Sequence, residues 1–283
     1  MWEHQLDKTD KSGYDSYYRG KLAGLANVSG PAEYVDAYKS QRLSPYWLGG
    51  ATKGFVRGLA TRRLLSAVTT AGLSNRVVTV LDAGSGLGGL SVYLACLGFN
   101  VTGVDISEQG CAAAKTLAEK MGVTRNCQFL AESLEKTSIA NSSIDFIIGH
   151  GSLHHFIKYQ GVPAEFKRIM KPSAEGFFAD SFGEFRPYHL FHDKAKMQRL
   201  GDVTLTRDLI LEYFSGFDVE LVPTDWFTML DKLWIKVFKG RLDRAVRRAS
   251  RIHFALDRKI PVSSPATLYF SGAVMTHIRK SDP

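Results

Sequence analysis

One stretch decides the fold: Val80-Leu81-Asp82-Ala83-Gly84-Ser85-Gly86-Leu87-Gly88-Gly89. It begins with apolar residues, continues through four glycines within six positions and leads into a segment with helical periodicity. Glycine tolerates positive φ and lets a ligand come close to the backbone, and the free N–H groups at the start of the next helix attract an anionic group. The sequence therefore predicts a buried strand, a ligand-binding turn and a helix.

Short apolar runs and helical segments alternate from residue 77 to residue 182, the pattern of βα units on a parallel sheet. The predicted strands are 77–83, 100–104, 127–130, 144–149 and 176–180. The predicted helices between them are 89–97 and 108–121, the second closed by Gly122, and Lys171-Pro172 closes the helix before the fifth strand. Further on, we expect a helix near 206–214, a strand near 217–223 and a β-rich run at 267–278.

Two ligand classes compete for the glycine-rich turn. Gly84, Gly86 and Gly89 satisfy the dinucleotide pattern GxGxxG, and Asp105 ends the next strand about 20 residues on, where an acid accepts hydrogen bonds from ribose hydroxyls. Taken alone, this pattern favours NAD. Asp82, however, extends the pattern to D-x-G-x-G-x-G.

That extended pattern resembles the first motif of the class I S-adenosylmethionine-dependent methyltransferases. Residues 143–156, SIDFIIGHGSLHHF, are similar to the family's "SFDxV…LHH" segment, and residues 166–172, FKRIMKP, to its "RxLKPGG" stretch, with SAEG in place of the glycine pair. The resemblance covers residues 77–182 closely. It implies an α/β fold, a Rossmann-like three-layer sandwich with a seven-stranded, mostly parallel sheet whose last strand is antiparallel.

The chain is expected to form one core with an appended lid. Residues 1–75 are predicted to form an N-terminal helical cap or lid, and residues 76–283 the S-adenosylmethionine-binding core, with insertions at about 183–205 and 226–266. Aromatic side chains give the lid a surface suited to covering an apolar or aromatic molecule: Tyr14, Tyr17, Tyr18, Tyr34, Tyr38, Tyr46 and Trp47.

The resemblance also implies which residues contact the cofactor. Gly84 and Gly86 would meet the methionine end, with Asp82 orienting the loop and aiding the amino group. Asp105 would bind the ribose hydroxyls, and Ile106 would pack on the adenine. Four more contacts are expected, at the adenine amino edge and beside the methionine portion: Glu132, Ser133, His150 and Gly151.

Histidines follow the fourth predicted strand and suggest the acid–base chemistry. Methyl transfer from a sulfonium is an in-line displacement that depends on positioning and exclusion of water, and an oxygen or nitrogen acceptor also needs a base. Histidine titrates near neutral pH. We predict His155, His154 and His189 as catalytic candidates. The predicted substrate contacts are Tyr18, Glu184, Tyr188 and His192.

We predict no metal site. Imidazole is a common ligand, and Asp180, Glu184 and Asp193 could complete a ligand set. Adjacent histidines usually point in different directions, however, which argues against His154 and His155 acting together.

Composition narrows the class of protein. Hydrophobic residues at 45% and charged residues at 23% are globular averages. No apolar run approaches the ~18 residues that span a bilayer, and the N-terminus lacks the apolar core of a secretory signal. The three cysteines have no CxxC spacing, so we expect reduced thiols and a cytoplasmic location.

The formal net charge of +8 belongs to one segment, since residues 232–259 hold ten Lys or Arg and two acids. At helical spacing through 241–256, apolar residues gather on one face and arginines lie largely opposite. The segment suits either a core-packed helix with a solvated charged face or contact with an anionic membrane surface or phosphorylated acceptor. Nucleic acid is not expected, because no recognised binding module accompanies the basic residues.

The predicted activity is S-adenosylmethionine-dependent methylation of O or C in a small apolar or aromatic specialised metabolite, by a monomer or homodimer. Methylation of bases or glutamine is not favoured, because no Asn-Pro-Pro-Tyr-type sequence follows the fourth strand. Three alternatives remain open. The acceptor could be diphosphate- or lipid-linked, the fold could serve a cyclase or a cofactor-binding protein, or the protein could be an NAD-dependent oxidoreductase.

Overall fold

A computed structural model describes residues 30–42, 58–71, 77–183, 202–224 and 271–280, with single positions 226, 252, 255, 256 and 259. The strands within these residues are β1 Thr79–Ala83, β2 Asn100–Asp105, β3 Cys127–Ala131, β4 Ile144–His150, β5 Met170–Ser181, β6 Phe217–Thr224 and β7 Ala273–Lys280. The helices are α1 Pro31–Arg42, α2 Gly58–Ala71, α3 Gly89–Cys96, α4 Glu108–Lys120, α5 Leu153–Phe156, α6 Val162–Ile169 and α7 Arg207–Tyr213.

The strands form one seven-stranded sheet in the order β3-β2-β1-β4-β5-β7-β6. Neighbours from β3 to β5 are parallel, and β7 runs antiparallel to both β5 and β6. The predicted sheet is confirmed. The chain leaves β1 toward β2 on one side and returns to β4 on the other, and in such sheets ligands bind at the carboxyl ends of the strands where the order reverses.

Helices cover both faces of the sheet. Successive residues of a strand point to opposite faces, so Val80 packs into the core beneath α1 to α4, and Leu81 packs into the core beneath α5 to α7. The first core includes Leu94 of α3, and the second includes Phe166 of α6. The result is the predicted three-layer sandwich.

Strand β5 is longer than predicted, because it begins at Met170 rather than at residue 176. Its register with β4 shifts between the pairs Ile144–Met170 and Phe146–Glu175. Pro172 lies in this irregular stretch, where a residue that cannot donate a ladder hydrogen bond is tolerated. Helix α6 still ends before this proline as expected, since it stops at Ile169, three residues earlier.

Helix α1 packs against the helix that follows the glycine-rich turn. Tyr34 Oη donates to the carbonyl of Gly89 at 2.9 Å, and Tyr38 stacks on Tyr93 with ring centroids 4.5 Å apart. Both tyrosines are buried in the core, so packing accounts for these two of the predicted lid aromatics. The other five lie outside the described residues: Tyr14, Tyr17, Tyr18, Tyr46 and Trp47.

Most of the basic segment lies outside the described residues, which include only positions 252, 255, 256 and 259 of it. Ile252 and Leu256, both on the predicted apolar face, are 60% and 40% exposed. No helix within the described part of the chain is both long and apolar enough to cross a membrane.

Candidate functional site

The glycine-rich turn connects β1 to α3 at the carboxyl edge of the sheet. Gly84, Gly86 and Gly88 all have positive φ, of 76°, 55° and 73°. L-residues rarely adopt such angles, which accounts for glycine at these positions. The N–H of Gly84 donates to the carbonyl of Val104 at 2.9 Å, so the turn is fixed to the end of β2.

Asp82 is buried beneath this turn on β1. Ser91 Oγ of α3 donates to its Oδ2 at 2.6 Å. Burial raises the pKa of the Asp82 carboxyl to about 6, and the nearby charge of Asp105 adds to the rise, while the hydrogen bond from Ser91 opposes it. The carboxyl therefore titrates just below neutral pH.

Asp105 ends β2 beside the turn. Its Oδ2 accepts from the N–H of Gly86 at 2.8 Å, and its Oδ1 accepts from the N–H of Ser107 at 2.9 Å. Each carboxylate oxygen can accept more than one hydrogen bond, so a ribose hydroxyl would share these oxygens with the backbone. Ile106 follows directly and is half-buried.

Glu132 and Ser133 follow β3, farther along the same edge. The carboxylate of Glu132 accepts from the N–H and the hydroxyl of Ser138, at 2.8 and 2.7 Å. Ser133 Oγ accepts from the N–H of Glu135 at 3.2 Å. Both side chains thus hold the turn that follows β3, and a contact with adenine would be additional to these bonds.

The end of β4 meets the glycine-rich turn. His150 is the last residue of β4 and is half-buried, and Gly151 has a φ of 65° and donates its N–H to the carbonyl of Ala179. A Cβ atom on Gly84 would lie only 2.6 Å from the Cβ of Ser152, so the two segments touch through the glycine.

Two buried hydroxyls in these segments have no hydrogen-bond partner among the described residues: Ser85 Oγ of the turn and Ser152 Oγ after β4. A buried polar group with no partner costs free energy, and a polar ligand can recover that energy. The junction therefore has the properties of a binding site for a polar molecule.

Two histidines directly after this junction form a cluster with two aspartates. His154 Nδ1 lies 2.6 Å from Oδ1 of Asp180, which is fully buried on β5 and also accepts from the N–H of Leu153. His155 Nδ1 lies 2.9 Å from Oδ1 of Asp202. His154 Nε2 lies 3.9 Å from Oδ2 of the same aspartate. We call these four side chains, His154, His155, Asp180 and Asp202, the His–Asp cluster.

The rings of His154 and His155 have centroids 3.8 Å apart. The expectation that adjacent histidines point in different directions is therefore wrong for this pair, because carboxylates from β5 and from the segment before α7 hold the two rings together. Burial lowers the pKa of His155 to about 4, and the neighbouring charge of His154 lowers it further, while Asp202 opposes both effects. His155 is therefore neutral at pH 7.

Several predicted site residues lie outside the described part of the chain: Tyr18, Glu184, Tyr188, His189, His192 and Asp193. The structure adds Ser152, Ser91 and Asp202 to the candidate site. No local signal in the sequence points to Asp202, since it reaches the histidines only through the fold. Ser152 lies inside the motif-like segment 143–156 and could have been found there.

Comparison with known proteins agrees with this geometry. A family model described as "Methyltransferase domain" matches residues 81–178. Over 98 residues the chain is 28% identical to sterol 4-C-methyltransferase strm-1 of Caenorhabditis elegans, covering 35% of this chain and 29% of that protein. Over 111 residues it is 33% identical to the S-adenosyl-L-methionine-dependent Diels-Alderase iccD of Talaromyces variabilis, covering 38% and 37%.

A solved structure shares the fold. Geranyl diphosphate C-methyltransferase from Streptomyces coelicolor A3(2), crystallised with Mg²⁺, geranyl diphosphate and S-adenosyl-L-homocysteine, superposes with a TM-score of 0.53 at 14% identity, covering 85% of this chain and 87% of that one. The matches to the curated relatives are shorter and span between 29% and 46% of the length of those proteins.

The seven-stranded sheet and the helices on its two faces define an α/β fold of the Rossmann-like methyltransferase class. More particularly, residues 81–178 match the model of a methyltransferase domain, in agreement with the motifs that resemble the class I S-adenosylmethionine-dependent methyltransferases. S-adenosylmethionine is the cofactor of that family, which resolves the choice left open by GxGxxG against NAD. The residues fit this cofactor, because the glycine turn gives close access to the backbone and the hydroxyls of Ser85 and Ser152 are available.

Proposed function

We propose that the protein transfers the methyl group of S-adenosylmethionine to oxygen or carbon of a small apolar or aromatic acceptor, a specialised metabolite. The observation that carries this proposal is the position of the His–Asp cluster. It begins two residues after Gly151-Ser152, the segment in contact with the glycine turn through Gly84. A histidine with a buried carboxylate partner thus stands beside the proposed cofactor site.

At the cofactor end, the proposed contacts are those that the family resemblance implied. Gly84 and Gly86 hold the methionine end, and ionised Asp82 attracts the amino group. Asp105 binds the ribose hydroxyls, with Ile106 on the adenine. The remaining contacts are Glu132, Ser133, His150 and Gly151. The positive φ of the glycines supports a close approach of the ligand to the backbone.

At the acceptor end, His154 is the proposed base. Bound S-adenosylmethionine would supply an electrophilic methyl group on its sulfonium, and its thioether would leave as S-adenosylhomocysteine when the acceptor takes the methyl group in line. Asp180 accepts from Nδ1–H of His154, which fixes the tautomer that carries the lone pair on Nε2. The acceptor proton moves to Nε2, and the carboxylate 2.6 Å from Nδ1 stabilises the imidazolium that forms. His155 is neutral and lies against the ring of His154, with its Nδ1 2.9 Å from Oδ1 of Asp202.

The test is methyl transfer to a panel of phenols, aliphatic alcohols and activated carbon acids, measured as release of S-adenosylhomocysteine. A product heavier by one methyl group is expected. Saturation with S-adenosylhomocysteine at about 100 times its dissociation constant should stabilise the protein by ~2.7 kcal/mol, and NADH should have no effect. Stabilisation by NADH alone, or an unchanged acceptor mass across the panel, contradicts the proposal.

A second candidate acceptor carries an anionic group or a lipid. Ile252 and Leu256 expose apolar side chains on the segment that holds the net charge of the chain, so this segment offers both apolar and cationic contacts. Several arginines can neutralise one diphosphate. A diphosphate ester methylated faster than its free alcohol would favour this acceptor.

A third candidate is a cyclase that uses the bound cofactor without transferring its methyl group. The relative iccD, named a Diels-Alderase, favours this alternative. The cofactor contacts would be the same in both cases, so the product decides. A rearranged product of unchanged mass, formed without release of S-adenosylhomocysteine, would identify a cyclase.

A further inference from the structure

We propose that His154, His155 and Asp202 form a binding site for one divalent transition-metal ion of Zn²⁺ type, and that the bound ion inhibits methyl transfer by occupying the base. The binding part stands independently, whereas the inhibition rests on the proposed function. The earlier expectation of no metal site relied on the two histidines diverging, and they do not.

The distances between the donor atoms suit a metal ion. One ligand atom from each of the three residues can be chosen so that all lie within 4.8 Å of one another. The closest pair, His155 Nδ1 and Asp202 Oδ1, is 2.9 Å apart, and His154 Nε2 lies 3.9 Å from Asp202 Oδ2. Zinc bonds of about 2.0–2.2 Å place neighbouring ligands roughly 3.3 Å apart in a tetrahedral site. Side-chain shifts of less than an ångström on each side would satisfy this.

Asp180 provides a carboxylate that holds the metal-binding histidine from its far side. A histidine that binds a metal through one nitrogen usually donates its other N–H to a carboxylate, which fixes the ring. Asp180 is fully buried and bonded to Nδ1 of His154 at 2.6 Å, so Nε2 is the nitrogen left to face Asp202. This bond does not depend on the three ligand atoms and is a second observation for the same site.

The ligand types select the class of metal. Two imidazoles and one carboxylate suit Zn²⁺ and neighbouring transition metals, whereas Mg²⁺ and Ca²⁺ prefer oxygen ligands. Three protein ligands leave a fourth position for water. The three side chains are 13%, 27% and 11% exposed, so an ion can enter from solvent.

Metal binding and base catalysis exclude each other at one atom. The lone pair on His154 Nε2 either accepts the acceptor proton or binds the ion. The metal-free protein should therefore be active, and the metal-bound protein inactive. Removing the ion with a chelator should restore the activity fully, because no covalent bond of the protein changes.

The test is a titration of the metal-free protein with Co²⁺, followed by its visible absorption, with Zn²⁺ added afterwards to displace it. One equivalent of Co²⁺ with a tetrahedral spectrum is expected. Asp202→Asn and His155→Gln should each weaken binding at least about 10-fold. Asp208→Asn, a matched change six residues away at a side chain that is 89% exposed, should bind like the parent.

The outcomes separate the two proposals. No cobalt spectrum, or an unchanged one in both Asp202→Asn and His155→Gln, overturns the metal site. If cobalt binds as expected but the metal-free protein methylates no acceptor, the metal site stands and the proposed function fails. If Zn²⁺ raises the methylation rate, the inhibition is wrong. Both substituted proteins must still bind S-adenosylhomocysteine, which shows that they are folded.

Discussion

The proposed cofactor end and the proposed acceptor end of the candidate site lie at one edge of the sheet but are built differently. At the cofactor end, backbone groups position the site residues. For example, the N–H groups of Gly86 and Ser107 donate hydrogen bonds to the carboxylate of Asp105. At the acceptor end, side chains position one another. The ring of His154 is held by Asp180, 26 residues farther along the chain. A site made from a local turn leaves a motif in the sequence, whereas a site made from long-range side-chain pairs leaves scattered polar residues.

The largest expected effect comes from a substitution at Asp180, which should impair the acceptor end and leave the cofactor end intact. Asp180→Asn keeps the shape of the side chain but removes the charge that stabilises protonated His154. We expect kcat for methyl transfer to fall about 10²–10⁴-fold, the range for loss of general base catalysis, with the affinity for S-adenosylhomocysteine unchanged.

The control for Asp180→Asn is Asp208→Asn on the surface of α7, which should leave both quantities unchanged. Equal losses of kcat and of nucleotide affinity in Asp180→Asn would show that the two ends are not separable. Calorimetric titration and initial rates measure the two quantities independently.

A substitution at Gly84 should have the opposite selectivity and impair the cofactor end. In Gly84→Ala the new Cβ would lie 2.6 Å from the Cβ of Ser152, so the turn or the end of β4 must move. We expect this movement to lower the affinity for S-adenosylhomocysteine about 30-fold, which corresponds to roughly 2 kcal/mol of binding free energy.

Gly98→Ala is the matched control for this change. Gly98 also has a positive φ, of 94°, but a Cβ there would meet nothing within 4 Å. The two variants share the backbone strain, which destabilises by about 1 kcal/mol, and only Gly84→Ala should lose affinity. Equal affinities in both variants would mean that the turn does not approach the ligand.

The pH dependence of nucleotide binding tests whether Asp82 binds the amino group of the cofactor. Its pKa of about 6 lies above the ordinary 3.8, so the folded protein holds the proton of this carboxyl more tightly than the unfolded chain does. The contribution of this carboxyl to the free energy of unfolding therefore falls as the pH rises from 3.8 through 6. The binding of an ammonium group needs the ionised form. We expect affinity for S-adenosylhomocysteine to fall roughly 10-fold between pH 7 and pH 5, and Asp82→Asn to abolish this change. Titrations at both pH values measure it, and an unchanged dependence in the variant would exclude Asp82.

The smallest effect is expected at Tyr34, outside both ends. Tyr34→Phe removes the hydroxyl that donates to Gly89 at the start of α3. A lost buried hydrogen bond costs about 1 kcal/mol, or roughly 2–4 °C in the unfolding midpoint. Nucleotide affinity should stay within about 2-fold of the parent. A larger loss of affinity would assign α1 to the cofactor end.

These differences explain how far the sequence could predict the molecule. The strands β1 to β4 were predicted within two residues, because apolar runs between glycine-rich turns are local signals. The start of β5 was missed because Pro172 normally argues against a strand, and only the shifted register with β4 accommodates it. Asp202 was missed because its position beside His155 depends on the packing of α5, β5 and the segment before α7, and no spacing encodes that.

The position of β7 has a consequence for the growing chain on the ribosome. This strand is the last of the seven in chain order, yet it lies between β5 and β6. Until residues 273–280 leave the exit tunnel, β5 lacks its second neighbour and β6 has none in the sheet. Unpaired strand edges invite aggregation and proteolysis. A chain that stops before β7 would leave the facing edges of β5 and β6 unpaired, so we expect such a product to aggregate or to be degraded more readily than a chain that includes β7.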